Sequence, residues 1–215
     1  MPPPAMIDRH ASALLRPVVD GLARLLVLGG VGADALTFCG LAVGWAAAAA
    51  IAFHAPWTGA ALILLSRLLD GLDGAVARAT TPTDRGGFLD VTLDFLFYPA
   101  IPLAFAIADP ARNALPAAVL IAAFVGTGTS FLAFATIAAK RLMTNPSYPD
   151  KSFYFLGGLT EAAETLAFFI AMCAWPQHFA LLAYVFAAMC AMTIVTRLIW
   201  GWQAFRPDPR ARQER

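Results

Sequence analysis

Apolar residues run along this chain in blocks of about twenty, and polar residues collect in the gaps between them. Six such blocks stand at roughly 33–53, 57–77, 88–108, 114–138, 157–175 and 178–200. A run of ~20 apolar residues matches a helix that spans the hydrocarbon of a bilayer. The ~10-residue alternation of a membrane barrel does not occur. The pattern predicts an all-α, polytopic membrane protein with six transmembrane helices. Pro56, the Arg78–Arg85 loop, Asp109-Pro110, the Lys140–Lys151 loop and Pro176 mark the breaks. Ahead of the first block, "IDRHASALLRPVVDGLARLLVLGG" (7–30) sets Arg9, Arg16, Asp20 and Arg24 among Leu and Val. It is predicted as an N-terminal amphipathic helix lying at the cytoplasmic interface. The organisation expected is an interfacial segment at 1–30, a six-helix transmembrane domain at 31–203 and a basic tail at 204–215.

Charge adds direction to this picture. Only 13% of residues are charged against 60% hydrophobic, whereas a soluble domain has about a quarter charged. A net charge of +1 gives no footing for a nucleic-acid partner. The cations alternate sides. Arg9, Arg16 and Arg24 precede the first span, Arg78 and Arg85 follow the second, and Lys140, Arg141 and Lys151 follow the fourth. Arg197, Arg206, Arg210, Arg212 and Arg215 close the chain, and the intervening loops hold only Arg112. By the positive-inside rule both termini are cytoplasmic, in a multi-pass plasma (inner) membrane protein. Residues 1–30 do not match a cleavable signal. Cys39, Cys173 and Cys190 lie in apolar runs without metal-like spacing. Gly40 and Gly44 form a GxxxG pair, read as close packing within the bundle, with a homodimer left open.

The charge concentrates in "DGLDGAVARATTPTDRGGFLDVTLD" (70–94), across the turn between the second and third spans. An ionised Asp at the centre of a membrane helix costs ~2.5–3.5 kcal/mol, so four near membrane depth need compensation. Asp70 and Asp73 are three apart, and Asp90 and Asp94 four apart, so each pair shares a helical face. Two antiparallel helices bring the faces together. Divalent cations remove the resulting repulsion. An all-oxygen cluster favours Mg²⁺, Mn²⁺ or Ca²⁺ over Zn²⁺, and four carboxylates can hold two ions. Gly74 leaves room for a ligand, and Arg78, one turn on, can reach a pyrophosphate.

These residues resemble the signature of the CDP-alcohol phosphotransferase family, D-x2-D-G-x2-A-R-x8-G-x3-D-x3-D. Asp70, Asp73, Gly74, Ala77, Arg78, Gly86, Asp90 and Asp94 match it, with one residue fewer between Arg78 and Gly86. The resemblance implies transfer of a phosphatidyl-type group from a CDP-linked lipid to an acceptor alcohol, with release of CMP, in phospholipid biosynthesis. It implies Mg²⁺ or Mn²⁺, two ions, held by Asp70, Asp73, Asp90 and Asp94. Asp94 would also be the general base, and Gly74, Arg78 and the loop hydroxyl of Thr83 would contact the CDP moiety. The active site would face the cytoplasm.

Candidates for the acceptor pocket lie outside the motif. Glu161 and Glu164 open the fifth span on one face, and Lys140 and Arg141 sit in the loop before it. Thr127, Thr129 and Ser130 are read as hydroxyls bonding their own helix backbone. Arg67, one turn before Asp70, can pair with a motif carboxylate. A transporter or channel using the Asp cluster for a permeating cation is the rival class. It predicts polar residues continuing to the far side, and the middles of the first and sixth spans offer almost none. The acceptor alcohol is not named by the sequence.

Overall fold

The computed structural model describes residues 19–141, 143 and 160–206, and all regular structure among them is helical. The expectations for residues 7–18, Lys151, 157–159 and 207–215 lie outside the described residues. Residues 19–28 form α1. It is followed by α2 (Ala33–Ala52), α3 (Pro56–Ala79), α4 (Asp84–Ala108), α5 (Pro110–Lys140), α6 (Ala162–Ala174), a 3₁₀ turn (Pro176–His178) and α7 (Phe179–Ala204).

Local chemistry sets these boundaries. Pro56 and Pro110 open α3 and α5, where a missing N–H has no intrahelical partner to lose. Thr83 Oγ1 accepts the N–H of Gly86 at 3.0 Å and starts α4. Asp109 Oδ1 accepts the N–H of Arg112 at 3.2 Å, so α5 begins directly after α4 stops. Gly30, at φ 75°, turns α1 into α2.

Among the described residues, four helical stretches are long and apolar enough to cross a membrane: α2, α4, α5 and Pro176–Ala204. α3 has 24 residues, but Arg67, Asp70, Asp73 and Arg78 crowd it from residue 67 onward. α6 is apolar yet has 13 residues, about 20 Å of helix against ~30 Å of hydrocarbon. The second and fifth predicted spans are therefore helical without meeting the length and composition of a span. The outward faces carry Leu64, Leu103, Leu115, Leu181 and Leu198, each between 50% and 68% exposed. Apolar surface on that scale suits a lipid solvent.

The interior is aromatic. Phe97, Phe105, Phe124, Phe169, Phe179 and Phe186 join one buried cluster. Phe105 stacks on Phe179 at 4.5 Å, and Phe124 meets Phe169 and Phe186 edge-on at 6.1 and 5.7 Å. α2 packs against α3 and α4 through the glycine pair. A Cβ on Gly44 would collide with the Phe97 ring, and Gly40 lies against Ser66, whose Oγ donates to the Gly40 carbonyl at 2.7 Å. The GxxxG step thus serves packing inside the chain. α1 lays Ala23, Leu26 and Val27 against Leu36, Leu72 and Val76, at the end of the bundle where α3 stops and α4 starts. Its Leu22, Leu25 and Leu28 remain exposed.

Candidate active centre

Residues 80–83 join α3 to α4 and fold them into an antiparallel hairpin. The helical spacing predicted from the sequence then does its work. One carboxylate oxygen from each of Asp70, Asp73 and Asp90 lies within 4.8 Å of the others. Oxygens on opposite sides of one Mg²⁺ stand about 4.2 Å apart, at a bond length of ~2.1 Å. The trio is nearly at that spacing already. Asp73 is 5% exposed, and its Oδ2 is buried without a hydrogen-bond partner. A buried carboxylate oxygen left so is costly unless a cation meets it. The donor set is all oxygen, so the residues fit a hard divalent ion.

Asp94 does not join this trio. Its Oδ1 accepts from Arg67 Nη1 at 2.6 Å, and its Oδ2 accepts from the Tyr98 hydroxyl at 3.4 Å. The same Arg67 nitrogen stands 3.6 Å from Asp70 Oδ1. The expected fourfold convergence becomes three carboxylates and a neighbouring ion pair. The physical cause is Arg67, a cation on the α3 face that looks onto α4. Its pairing with a motif carboxylate is the one anticipated from the sequence.

A cavity of about 1090 Å³ opens over the cluster. Its near wall is the α3–α4 hairpin. Gly74 and Arg78 lie together there, and a Cβ on Gly74 would stand 3.2 Å from Arg78 Nη1. Thr83 also lines the cavity, although its oxygen is already the cap acceptor of α4. At the rim Arg85 Nη2 pairs with Asp34 Oδ2 at 2.6 Å.

The far wall comes from α5, α6 and α7. Thr127, Glu161 and Arg197 line it. Arg197 is 9% exposed and its Nη1 donates to the Thr127 carbonyl at 2.9 Å. Glu161 interacts electrostatically with Arg197. Glu164 is not among the residues lining the cavity, and its Oε2 accepts the Glu161 N–H at 3.1 Å as part of a capping box. Neither Lys140 nor Arg141 lines the cavity. Arg141 instead donates to the carbonyls of Ala204 and Phe205 at 3.4 and 3.2 Å, tying α5 to the end of α7. The hydroxyls of Thr127, Thr129 and Ser130 bond their own helix at 2.9, 2.7 and 3.0 Å, as expected. Arg197 was counted in the sequence only as one more cation near the chain end. The signal that marks it is its place inside the apolar run "TIVTRLIW", where a charge needs a reason.

A carboxylate trio beside a glycine–arginine step, set over a cavity among apolar helices, defines a membrane-embedded enzyme that handles phosphate groups. Comparison with known proteins agrees. Residues 31–199 match the CDP-alcohol phosphatidyltransferase family, and the chain belongs to it. It therefore transfers a phosphatidyl-type group from a CDP-linked lipid to an acceptor alcohol, releasing CMP. The chain is 49% identical over 199 residues to the inner membrane protein YnjF of Escherichia coli K12, covering 92% of this chain and 96% of that one. It is 32% identical over 206 residues to the archaetidylinositol phosphate synthase of Methanothermobacter thermautotrophicus, covering 90% and 93%. The phosphatidylinositol phosphate synthase PgsA1 of Mycobacterium tuberculosis, solved with CDP-DAG bound, shares the fold at a TM-score of 0.67. That likeness carries 23% identity over 89% of this chain and 98% of the other. A second PgsA1 structure, with manganese and citrate, also has a TM-score of 0.67, at 22% identity over 88% and 93%.

Proposed function

We propose that the centre is divalent-metal dependent, with Asp70, Asp73 and Asp90 holding Mg²⁺ or Mn²⁺, and that the acceptor is a phosphorylated alcohol. The observation that carries the metal reading is the approach of three carboxylates from two helices, with the buried Asp73 Oδ2 among them. When bound, the ion supplies electrostatic stabilisation of the diphosphate and of the charge on departing CMP. Arg78 and the open backbone at Gly74 receive the diphosphate on the near wall. Asp94 takes the proton of the acceptor hydroxyl, whose oxygen forms a bond to the lipid-bearing phosphorus. The bond from that phosphorus to CMP breaks, and CMP leaves with the electron pair.

For the acceptor, the support is Arg197, a buried guanidinium in the far wall of the same cavity. A guanidinium suits bidentate recognition of a phosphate. Relatives named for inositol phosphate lipids point the same way. In topology, α3 and α6 complete a six-span bundle in the inner membrane, with the cavity and both termini on the cytoplasmic side. The loop cations and the name of the Escherichia coli relative support that placement.

The test is CMP release from CDP-diacylglycerol by the purified protein in detergent. Inositol phosphate and glycerol phosphate are compared with free inositol, glycerol and serine, in Mg²⁺, Mn²⁺ or EDTA. Release with a phosphorylated acceptor, abolished by EDTA and restored by Mn²⁺, is expected. Full activity in excess EDTA would rule out the metal centre. Release with serine or a free polyol, and none with the phosphates, would remove Arg197 as the acceptor's partner.

A further inference from the structure

The far wall holds a carboxylate beside the cation that would bind the acceptor's phosphate. Glu161 and Arg197 both line the cavity, and they act on each other electrostatically. Local geometry joins them. Thr160 Oγ1 donates to Thr193 Oγ1 at 3.0 Å and ties the start of α6 to α7. Glu161 follows Thr160 as the N-cap of α6, and Arg197 lies one helical turn beyond Thr193 on the same face. Arg197 is steadied separately, by Nη1 on the Thr127 carbonyl at 2.9 Å and by the Phe131 ring, 5.8 Å from its carbon.

A carboxylate next to that guanidinium weakens its pull on a phosphate. A pocket that read phosphate alone would do better without it. Capping explains part of Glu161, since its side chain shares the capping box with Glu164. Capping asks only for an oxygen at the helix start, which Ser, Thr, Asp and Asn supply with less reach. The longer glutamate brings a charge to the cavity wall. A carboxylate has about four acceptor sites, so the cap and a ligand can use it together. Those sites suit hydroxyl donors, as when an acidic residue holds a ribose hydroxyl in dinucleotide-binding folds.

We propose that Glu161 is a specificity-determining residue of the acceptor site, accepting hydrogen bonds from hydroxyls of the acceptor that do not react, so that the acceptor is a polyol phosphate with at least two hydroxyls beside the reacting one. The inference deepens the acceptor reading above and rests on it. Arg197 takes the phosphate and Glu161 the spectator hydroxyls. The reacting hydroxyl is left to Asp94, which lines the same cavity. Three points of contact orient a ring whose hydroxyls are otherwise much alike. Glycerol phosphate has one spectator hydroxyl, and it sets a phosphate beside a carboxylate with less in return.

The experiment reads a ratio. CMP release from CDP-diacylglycerol in detergent and Mn²⁺ is measured with inositol phosphate, with its analogues lacking one spectator hydroxyl each, and with glycerol phosphate. The wild type is expected to favour inositol phosphate over glycerol phosphate by at least ~10-fold in kcat/KM, and at least one analogue is expected to lose a similar factor. Glu161→Gln keeps the shape and a capping oxygen and removes the charge. It is expected to raise the KM for inositol phosphate by roughly 10- to 150-fold, while the KM for glycerol phosphate stays or falls. Opposed movement is a result that a packing defect does not produce. Glu164→Ala, which removes the other half of the capping box, is expected to lower Tm and leave the ratio unchanged. A wild type that uses glycerol phosphate as well as inositol phosphate would overturn the proposal, and that measurement needs no variant. Equal rises in both KM values in Glu161→Gln would overturn it, as would an equal loss of the ratio in Glu164→Ala. In these cases the phosphorylated acceptors still react, so the acceptor reading stands. Release with serine or a free polyol, and with neither phosphate, would overturn that reading and this inference together.

Discussion

The two walls of the cavity are built in opposite ways. The near wall is one hairpin. Asp70, Asp73, Gly74, Arg78 and Asp90 fall within 21 consecutive residues, and two helices with a four-residue turn bring them together. The far wall draws Thr127 from α5, Glu161 from the start of α6 and Arg197 from α7, separated by 34 and 36 positions in the chain. A wall made by local geometry keeps its shape wherever the hairpin forms. A wall made by three helices depends on how each packs, so its chemistry can drift as the packing drifts. That division suits an enzyme whose donor group is fixed and whose acceptor varies.

The comparison can be broken most severely at the near wall. Asp73→Asn is expected to abolish Mn²⁺ binding and CMP release together, measured by calorimetry and by a CMP assay; retention of both would detach the trio from catalysis. Asp94→Asn comes next. It should still bind CDP-lipid and Mn²⁺ while turning over ~10²–10⁴-fold more slowly, the contribution of a positioned general base. Near-normal turnover would end the general-base assignment. The walls are then separated by a pair of variants. Arg78→Ala is expected to weaken CDP-lipid affinity by roughly 10- to 150-fold and to leave the acceptor KM alone, as losing one contact to a charged group implies. Arg197→Gln should do the reverse, raising the acceptor KM over the same range with CDP-lipid affinity unchanged. If both variants move both constants, the walls are not separate sites. The smallest effect is expected at the rim. Arg85 is 77% exposed, and Arg85→Ala, which breaks its pair with Asp34, should change stability by less than ~1 kcal/mol in thermal unfolding.

What could be read in advance follows the same division. The i, i+3 and i, i+4 spacing of the aspartates carried the near wall, because helical periodicity converts sequence distance directly into a face. The helix boundaries were also legible, since Pro56, Pro110 and Asp109 act through the backbone beside them. The partition of Asp94 from the trio was not. It depends on which carboxylate Arg67 reaches across the hairpin, 2.6 Å to Asp94 against 3.6 Å to Asp70, and spacing does not rank them. Lys140 and Arg141 looked suited to an acceptor phosphate because they are cations in the loop before the fifth span. Arg141 went instead to the C-terminal carbonyls of α7, which attract any nearby guanidinium. Glu164 likewise found the backbone of its own first turn. Arg197 was hidden by being counted with the tail, and its role needed the long-range fit of α7 against α5.

Gly44 offers only a hydrogen toward α4, and the Phe97 ring fills the space a methyl would take. The same ring is the platform under Arg67. A side chain gained at position 44 is therefore felt, two steps away, by the charge that holds Asp94. In a drifting lineage none of the three positions is free to change by itself. A larger residue at 44 demands a smaller one at 97, and a smaller one at 97 leaves the guanidinium without its aromatic face. Effects of substitution in such a set do not add. Gly44, Phe97 and Arg67 would be inherited, lost and regained as a block, and divergent descendants would carry that history as covariation among three positions, of which only one bears a charge.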